Sequence, residues 1–367
     1  MWLQLLLIFW AFILFLHYES KGDTATNRHK YVNWLIFMLI MQSGLRHIAV
    51  GPDTYAYSLL FEDAERMSWS EVFRNFYDVY VLKEGKDAGY VLLEKVFQFF
   101  IPSYRLFLIF IASLFFIPLY RLIEKHLFSL GLLFLSFCIY QSLFYSFFSV
   151  TGLRQVIATV ATITGISLIE KRRLKTFIII ILLASFIHKS VLLFLPFYFI
   201  AKYSRPKLLM SIVLCAMPIL FVTARFMVGF MVSFAASDSY SGYAESSSQT
   251  GGAVNFALFL ILTSVCILFA LWKNPNKIPN WIVNAISLSL FFTPLTWVDP
   301  SLMRVVQYFS IFLILGLPLA FYYLHVPKSI YRLVCVCFCL LLLFTIISRS
   351  YDYAFYWQEM QLGSNYF

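Results

Sequence analysis

The sequence has little charge. Of its 367 residues only 13% are Asp, Glu, Lys or Arg, whereas 61% are apolar and the mean hydropathy is +0.80. Soluble chains carry about 25% charged residues, so half the charge that a water-facing surface needs is missing. A soluble or disordered protein is therefore excluded. The apolar stretches are continuous and do not alternate with a period of two, which excludes an outer-membrane barrel.

Signatures of soluble enzymes are also missing. The chain contains no G-x-x-x-x-G-K-[ST], G-x-G-x-x-G, H-E-x-x-H, G-x-S-x-G, C-x-x-C or D-x-D. These absences argue against nucleotide-driven transport, zinc chemistry and metal-dependent transfer from a sugar nucleotide. All six cysteines lie in apolar stretches, and Cys335, Cys337 and Cys339 would point to different sides of a helix. We therefore predict no metal site and no cofactor.

Long apolar stretches dominate what is present. One of them, 177–201, holds His188 and Lys189 at its centre. It predicts a pair of short or re-entrant helices, because polar groups inside a membrane must line a cavity or reach the interface. The predicted fold is an all-α polytopic membrane protein, one integral membrane domain over 1–367 with about 12 transmembrane segments. Ten stretches are long enough to cross about 30 Å of hydrocarbon, near 2–17, 31–46, 104–122, 127–148, 153–170, 208–232, 254–272, 280–297, 305–324 and 330–348.

Basic residues near the ends of these stretches predict the orientation. If 177–201 crosses twice, sixteen of them lie in loops on one side and six lie on the other. Basic loops face the cytoplasm, so the depleted side is predicted to be outside. The net charge of +10 then follows from anchoring to anionic lipid, and no nucleic-acid partner is predicted.

Two loops of some length fall on the predicted outer side, 47–103 and 233–252. The first carries nine acidic residues, and Ser68 with Glu71 forms a capping box before an amphipathic run. A second run, from Tyr90 to Ile101, gathers Glu94, Lys95 and Gln98 on one face. Both runs predict interfacial helices that lie on the outer leaflet.

A set of ionisable residues lies at or near the predicted outer ends of the spans. Such residues are costly beside a membrane, so the set predicts a polar site at the outer leaflet, although a single arginine there often only snorkels to headgroups. An arginine fork binds two phosphate oxygens at once, which suits a lipid-linked pyrophosphate. The set is Arg46, Asp53, Arg154, His188, Lys189, Arg225, Asp299 and Arg304.

The remaining candidate residues have two interpretations each. His188 is a general base or sugar ligand, or else its ring only satisfies a backbone carbonyl. Asp53 is a base, or else it pairs with Arg46. Tyrosines offer faces for sugar rings, although most of the 23 are expected in the interfacial belts. The candidate sugar ligands are Tyr55, Tyr57, Tyr90, Tyr240, Tyr243 and Tyr308.

Four short segments follow one another over about 44–309. They are Arg46 with Gly51-Pro52-Asp53 and Tyr55; Arg154-Gln155; Phe186-Ile187-His188-Lys189-Ser190; and Arg304 with Tyr308-Phe309. Their types and order resemble the EpsG-like branch of the Wzy-type polysaccharide polymerases, with its Arg, Gly-x-Asp, Tyr signature, its Arg-Gln helix opening, its Phe-x-His-x-Ser or Phe-His-x-Ser element and its C-terminal Arg with Tyr-Phe. A further segment, 87–90, reads Asp-Ala-Gly-Tyr where the family often has Glu-Pro-Gly-aromatic.

The resemblance implies a nucleotide-independent glycosyltransferase in the bacterial inner membrane. Its donor and acceptor would be undecaprenyl-pyrophosphate-linked oligosaccharides, joined at the periplasmic face into O-antigen, capsule or exopolysaccharide, and a chain-length regulator would be a partner. The implied architecture is GT-C-like, with a large extracytoplasmic loop between helices 2 and 3. Arg154 and Arg304, supported by Arg46, would stabilise the leaving pyrophosphate, and His188 or Asp53 would deprotonate the acceptor hydroxyl.

Two other functions remain open from the residues. A different lipid-linked glycan transferase or ligase would use the same site with another acceptor. A flippase or transporter should show internal repeats with paired broken helices, whereas only one broken segment and no repeat is found. The pattern therefore favours polymerisation.

Overall fold

Helices joined by short turns make up the computed structural model of the chain. It describes residues 2–85, 87–235, 254–327, 329–330, 332–337, 340, 344 and 353–361. No strand occurs in these ranges, where a single isolated bridge joins Arg46 to Phe355. The predicted all-α class is confirmed.

The helices follow the apolar stretches of the sequence. Short 3₁₀ and π segments extend or connect several of them, among them Tyr140–Phe144, Ser146–Val150 and Lys189–Phe194. The α-helices are α1 (Trp2–Ser20), α2 (Ala25–Gly44), α3 (Thr54–Arg66), α4 (Trp69–Tyr77), α5 (Ala88–Phe100), α6 (Tyr104–His126), α7 (Leu130–Ile139), α8 (Leu153–Glu170), α9 (Leu174–Ser185), α10 (Phe197–Ile200), α11 (Pro206–Ala235), α12 (Val254–Lys273), α13 (Asn280–Phe292), α14 (Met303–Ser310) and α15 (Leu313–Tyr323).

Capping side chains decide where several helices begin. The Thr24 hydroxyl accepts a hydrogen bond from the Asn27 amide, so α2 starts at Ala25, six residues before the predicted start of its apolar stretch. The predicted capping box of α4 is confirmed, because the Ser68 hydroxyl and the Glu71 carboxylate each accept a backbone amide of the other residue.

Fewer helices than predicted are both long enough and apolar enough to cross a membrane. Among the described residues, five are long and apolar enough, namely Leu3–Ser20, Tyr104–His126, Leu153–Glu170, Pro206–Phe230 and Val254–Lys273. A sixth is a pair bent by 50°, Pro300–Ser310 with Leu313–Tyr323. The chain is thus an all-helical membrane protein. The predicted break within 177–201 is present, since α9 ends at Ser185 and shorter helices follow from Lys189. Most of the predicted span 330–348 lies outside the described residues, and twelve crossings stay a prediction.

The chain divides into two compact units. Unit 1 comprises 1–166, 182–189 and 327–367, and α2 packing against α6 is its largest helix contact. At Gly44 these two backbones approach so closely that an added Cβ would lie 2.6 Å from Ile109 Cγ1. Rings of Phe115 and Phe148 stack in the core at a centroid distance of 5.1 Å.

Unit 2 comprises 167–181 and 190–326, and α13 forms its centre. This helix packs against both α11 and α14. Its fully buried Asn284 donates to the carbonyls of Ile200 and Tyr203, at 2.8 and 3.1 Å, and so satisfies backbone groups at and after the end of α10. The rings of Phe194 and Phe309 stack at 5.3 Å.

The orientation of α5 differs from that expected of an interfacial helix. Its polar face packs against α3, where Glu94 is fully buried and the Gln98 side-chain amide donates to the Phe61 carbonyl at 2.5 Å. Its apolar face is outside instead, with Phe99 and Phe100 73% and 74% exposed. Helical periodicity identifies the two faces but not which one is buried, because lipid can replace water as the outer solvent.

A segment near the carboxyl end crosses the loop that follows α2. Residues 353–361 form what we call the C-terminal strap. The His47 amide donates to the Ala354 carbonyl at 2.8 Å, and the Tyr356 amide donates to the Leu45 carbonyl at 3.0 Å. The Arg105 guanidinium lies 3.5 Å from the centre of the Tyr356 ring. The strap therefore holds the start of the 47–103 loop in place.

Candidate functional site

The start of α5 meets the chain break that follows α9. The Gly89 amide donates to the Phe186 carbonyl at 3.0 Å, and the Tyr80 hydroxyl donates to the same carbonyl at 3.0 Å. An added Cβ at Gly89 would lie 2.6 Å from that oxygen. Only glycine fits this approach, which brings the residue before α5, Asp87, beside His188.

Asp87 links an arginine and a histidine. Its carboxylate Oδ2 lies 2.7 Å from Arg154 Nη1 and 3.9 Å from His188 Nδ1. Arg154 Nε also donates to the Tyr57 hydroxyl at 3.3 Å. We call Tyr57, Asp87, Arg154 and His188 the Arg154 cluster. All four lie in unit 1, although Tyr57 and His188 are 131 positions apart in the sequence.

Local backbone geometry places Arg154 at a helix start. Gly152 has a φ of +64°, a value that glycine adopts readily, and this residue turns the chain from a π segment into α8. Arg154 is the second residue of that helix, where unpaired backbone amides favour anions. Its side chain is 30% exposed, and Asp87 and Tyr57 accept from Nη1 and Nε, so the guanidinium has further N–H donors to offer to an anion.

A second carboxyl lies in the interior near this cluster. Glu94 is fully buried, and burial raises the pKa of its carboxyl to about 8, against the opposing effects of the Tyr90 hydroxyl and the Arg154 cation. Its neighbour Tyr90 is 1% exposed, and the ring lies 5.5 Å from that of Tyr57. The pKa of Tyr90 is raised well above the usual value, also by burial first. Both groups are therefore neutral at pH 7.

Lys189 is the residue directly after His188 of the Arg154 cluster. Its ammonium lies 5.7 Å from the centre of the Tyr80 ring, a cation–π distance, and the side chain is half-buried. Tyr55, the second residue of α3, is half-buried. The structure thus brings Tyr57, Arg154 and His188 together, with Lys189 adjacent in sequence.

Arg46 lies in a different environment. It is 2% exposed, its Nη1 donates to the Ser43 carbonyl, and its Nε donates to the Thr54 hydroxyl at 3.3 Å. The interpretation that Asp53 pairs with Arg46 is wrong, because no ion pair joins these two described residues; Asp53 is half-buried just before α3. The predicted contact of Arg46 with pyrophosphate stays a prediction.

The other predicted residues belong to unit 2 or lie outside the described residues. Arg225 is exposed on α11, and Arg304 is half-buried as the second residue of α14. Tyr308 is fully buried, with its hydroxyl 3.0 Å from that of Ser190. The Asp299 carboxylate accepts the Ser301 amide at 2.7 Å. Tyr240, Tyr243 and most of the loop 233–252 lie outside the described residues.

Two acidic residues of this region do not stand out as site residues in the sequence. Asp87 occupies the acidic position of the segment that resembles Glu-Pro-Gly-aromatic, which was the available signal. Glu94 had no signal beyond its place on a polar face. Within the described residues, no group of three or more His, Cys, Asp and Glu side chains is placed to hold a metal ion.

Enlarging Gly89 should disrupt the cluster. We expect Gly89→Ala to force the Asp87 turn away from Phe186, since the new Cβ would meet a backbone carbonyl, and the activity of the protein should fall at least about tenfold. Activity per unit of protein, measured in cells that lack the native protein, reports this effect. Gly229→Ala is the matched control, because nothing lies within 4 Å of an added Cβ there. Equal activity of the two variants would contradict the expectation.

The fold and the site thus define an all-helical membrane protein in which a partly exposed arginine, Arg154, lies beside a buried carboxylate, that of Asp87. A family model described as the EpsG family matches residues 29–360, nearly the whole chain. The chain belongs to the EpsG family, which is a family of Wzy-like polymerases. No curated protein and no solved structure matches the chain.

Proposed function

We propose that the protein is a polysaccharide repeat-unit polymerase that uses undecaprenyl-pyrophosphate-linked oligosaccharides as donor and acceptor. Membership of the EpsG family supports the polymerase class. The observation that carries the substrate class is the Arg154 guanidinium, partly exposed at the start of α8 and held by Asp87 and Tyr57. An arginine anchored on one side presents its other N–H groups in a fixed direction, which suits a diphosphate.

The reaction is a glycosyl transfer. An acceptor hydroxyl oxygen bonds to the anomeric carbon of the donor's reducing-end sugar, while the bond from that carbon to the pyrophosphate oxygen breaks and its electron pair leaves with undecaprenyl pyrophosphate. Arg154 stabilises the negative charge that develops on this leaving group. We assign Arg304 the same task, with Arg46, Lys189 and Arg225 in support, from their position in the sequence pattern.

The proton of the acceptor hydroxyl goes to a base. We propose His188, because the Asp87 carboxylate, 3.9 Å from Nδ1, stabilises the imidazolium that forms. Asp53 is the alternative base, since it is half-buried and its carboxylate forms no ion pair among the described residues. Tyr55 and Tyr57 on α3 and Tyr90 on α5 belong to the same sugar-binding proposal, together with Tyr240, Tyr243 and Tyr308.

The membrane arrangement belongs to the same proposal. We place the site at the periplasmic face of the bacterial inner membrane, with about 12 crossings, a GT-C-like architecture and a chain-length regulator as partner. The exposed aromatic residues of α4 and α5, such as Phe73 and Phe100, support a position of the 47–103 loop at the lipid surface. The product would be O-antigen, capsule or exopolysaccharide.

Reconstitution tests this function. Purified protein in proteoliposomes, given a lipid-pyrophosphate-linked repeat, should produce a ladder of longer glycans without nucleotide. A flippase would move the repeat across the bilayer and leave its length unchanged. A ligase would form a product only when a different acceptor is added, so either of these results in place of a ladder would contradict the proposal.

A further inference from the structure

One side of α5 carries a buried row of polar groups with few hydrogen bonds. Tyr90, Glu94 and Gln98 are spaced four residues apart, so they lie along one stripe of the helix. Their exposed fractions are 1%, 0% and 8%. Within the part of the chain that the structure describes, the Glu94 carboxyl has the Tyr90 hydroxyl as its hydrogen-bonding neighbour and accepts from no backbone amide or cation, and Gln98 Oε1 accepts no hydrogen bond. A buried carboxyl in this situation is costly unless it is neutral.

The stripe connects to the proposed pyrophosphate site through aromatic side chains. Glu94 lies beside Tyr90, whose ring contacts that of Tyr57, and the Tyr57 hydroxyl accepts a hydrogen bond from Arg154. The Arg154 cation also acts electrostatically on Glu94 directly. Arg154 therefore has one carboxyl in contact, that of Asp87 at 2.7 Å, and a second one, that of Glu94, at longer range.

The helices around Glu94 contribute few other charges. α3 contributes Tyr57, α6 contributes Tyr104, and α8 contributes Arg154, while α5 itself contributes Tyr90. Lys95 of α5 is half-buried and donates to the Glu65 carbonyl. The other charged or ionisable residues of α3 and α4 with exposed side chains are Glu62, Asp63, Glu65, Arg66, Glu71, Arg74 and Tyr77. With ordinary pKa values, arginine is charged and tyrosine and histidine are mostly neutral between about pH 7 and pH 9.5. Among the described carboxyls of these surroundings, Glu94 is the one whose pKa is raised into this interval.

We infer that Glu94 is a positioning residue for the pyrophosphate site: its carboxyl is protonated when lipid pyrophosphate is bound, and once ionised it competes with that anion for Arg154. This inference rests on the proposed function. With Glu94 neutral, the Asp87 carboxylate stands against two cations of this region, Arg154 and Lys189. Lys189 follows His188 in the sequence, and its ammonium faces the Tyr80 ring. Ionised Glu94 would add a negative charge in a poorly hydrated interior, where charges interact strongly.

Two linked consequences follow. Affinity for the anion should be highest below about pH 8 and should fall as the pH rises through this value, the pKa of the Glu94 carboxyl. Reciprocally, the bound anion favours the protonated carboxyl, so binding above that pH should take up protons from the buffer. A merely structural Glu94 would produce neither effect.

The test measures binding of undecaprenyl pyrophosphate to the full protein in detergent by calorimetry, between about pH 7 and pH 9.5 and in buffers of different ionisation enthalpy. We expect the Kd of the native protein to rise about fivefold to tenfold across this range, with proton uptake near pH 8.5. Glu94→Gln, which keeps the size and polarity of the side chain, should bind with a nearly constant Kd and without proton uptake. Glu71→Gln, at an exposed carboxyl, should behave as the native protein does.

The outcomes separate this inference from the proposed function. If the native protein binds at pH 7 but its Kd is constant with pH, or if Glu94→Gln shows the same rise and the same proton uptake, the role of Glu94 is wrong and the polymerase proposal stands. If the native protein neither binds undecaprenyl pyrophosphate nor makes a ladder, the proposed function is wrong and the role of Glu94 falls with it.

Discussion

Arg154→Ala is expected to stop chain growth. If Arg154 stabilises the leaving pyrophosphate as proposed, loss of the guanidinium should lower transfer at least about 100-fold while the lipid-linked single repeat accumulates. The side chain is 30% exposed at the start of α8, so the variant should still reach the membrane in normal amount. Glycan ladders from cells without the native protein, together with immunoblots of membranes, measure both quantities.

Matched variants give this prediction its specificity. Arg154→Lys keeps the charge but loses the fork, and it should retain an intermediate activity. Arg304→Ala should resemble Arg154→Ala if the proposed role of Arg304 is correct. Arg66→Ala is the control, since Arg66 is 76% exposed and its ion pairs measure 3.8 Å. Long polymer from both Arg154→Ala and Arg304→Ala would refute the pyrophosphate role.

Arg46→Ala should act in a different way, through stability. The buried guanidinium donates to the Ser43 carbonyl and the Thr54 hydroxyl, and alanine would leave a cavity and a buried carbonyl without its donor. We expect a loss of about 2–4 kcal/mol in the free energy of unfolding. The protein should be less abundant in membranes and should unfold at lower temperature in detergent.

The control for Arg46→Ala is Arg74→Ala, at an exposed position of α4. Its thermal midpoint and abundance should match those of the native protein. A stable and abundant Arg46→Ala protein that makes no polymer would instead assign Arg46 a direct role at the pyrophosphate, as the sequence pattern predicts. The two measurements therefore decide between packing and binding at this position.

Features that depend on neighbours in sequence could be predicted, and those that depend on distant contacts could not. The capping box of Ser68 and Glu71 involves residues three apart, and the break around His188 follows from polar residues inside an apolar stretch. Arg154 and His188 were recognised as candidates by their type and position. Asp87 was not, because its partner Arg154 is 67 residues away and its own backbone lies in the left-handed region, with φ +54°.

The direction in which a helix face points was likewise beyond the sequence. The spacing of Glu94 and Gln98 correctly indicates one polar face on α5. In a water-soluble protein that face would be outside, but here α3 covers it and the phenylalanines face outward. Burial changes the charge of a carboxyl at pH 7. The charge of Glu94 could therefore not be predicted from the sequence, which does not show which face of α5 is buried.

The C-terminal strap has a consequence for biosynthesis. Ala354 and Tyr356 pair with His47 and Leu45, more than 300 positions earlier in the chain. During translation the ribosome therefore adds more than 300 further residues before these partners exist. The loop after α2 must wait in an incomplete state while later helices enter the membrane. A premature stop codon directly before position 353 would leave that loop without these two hydrogen bonds, so even a late truncation should destabilise the start of the 47–103 loop.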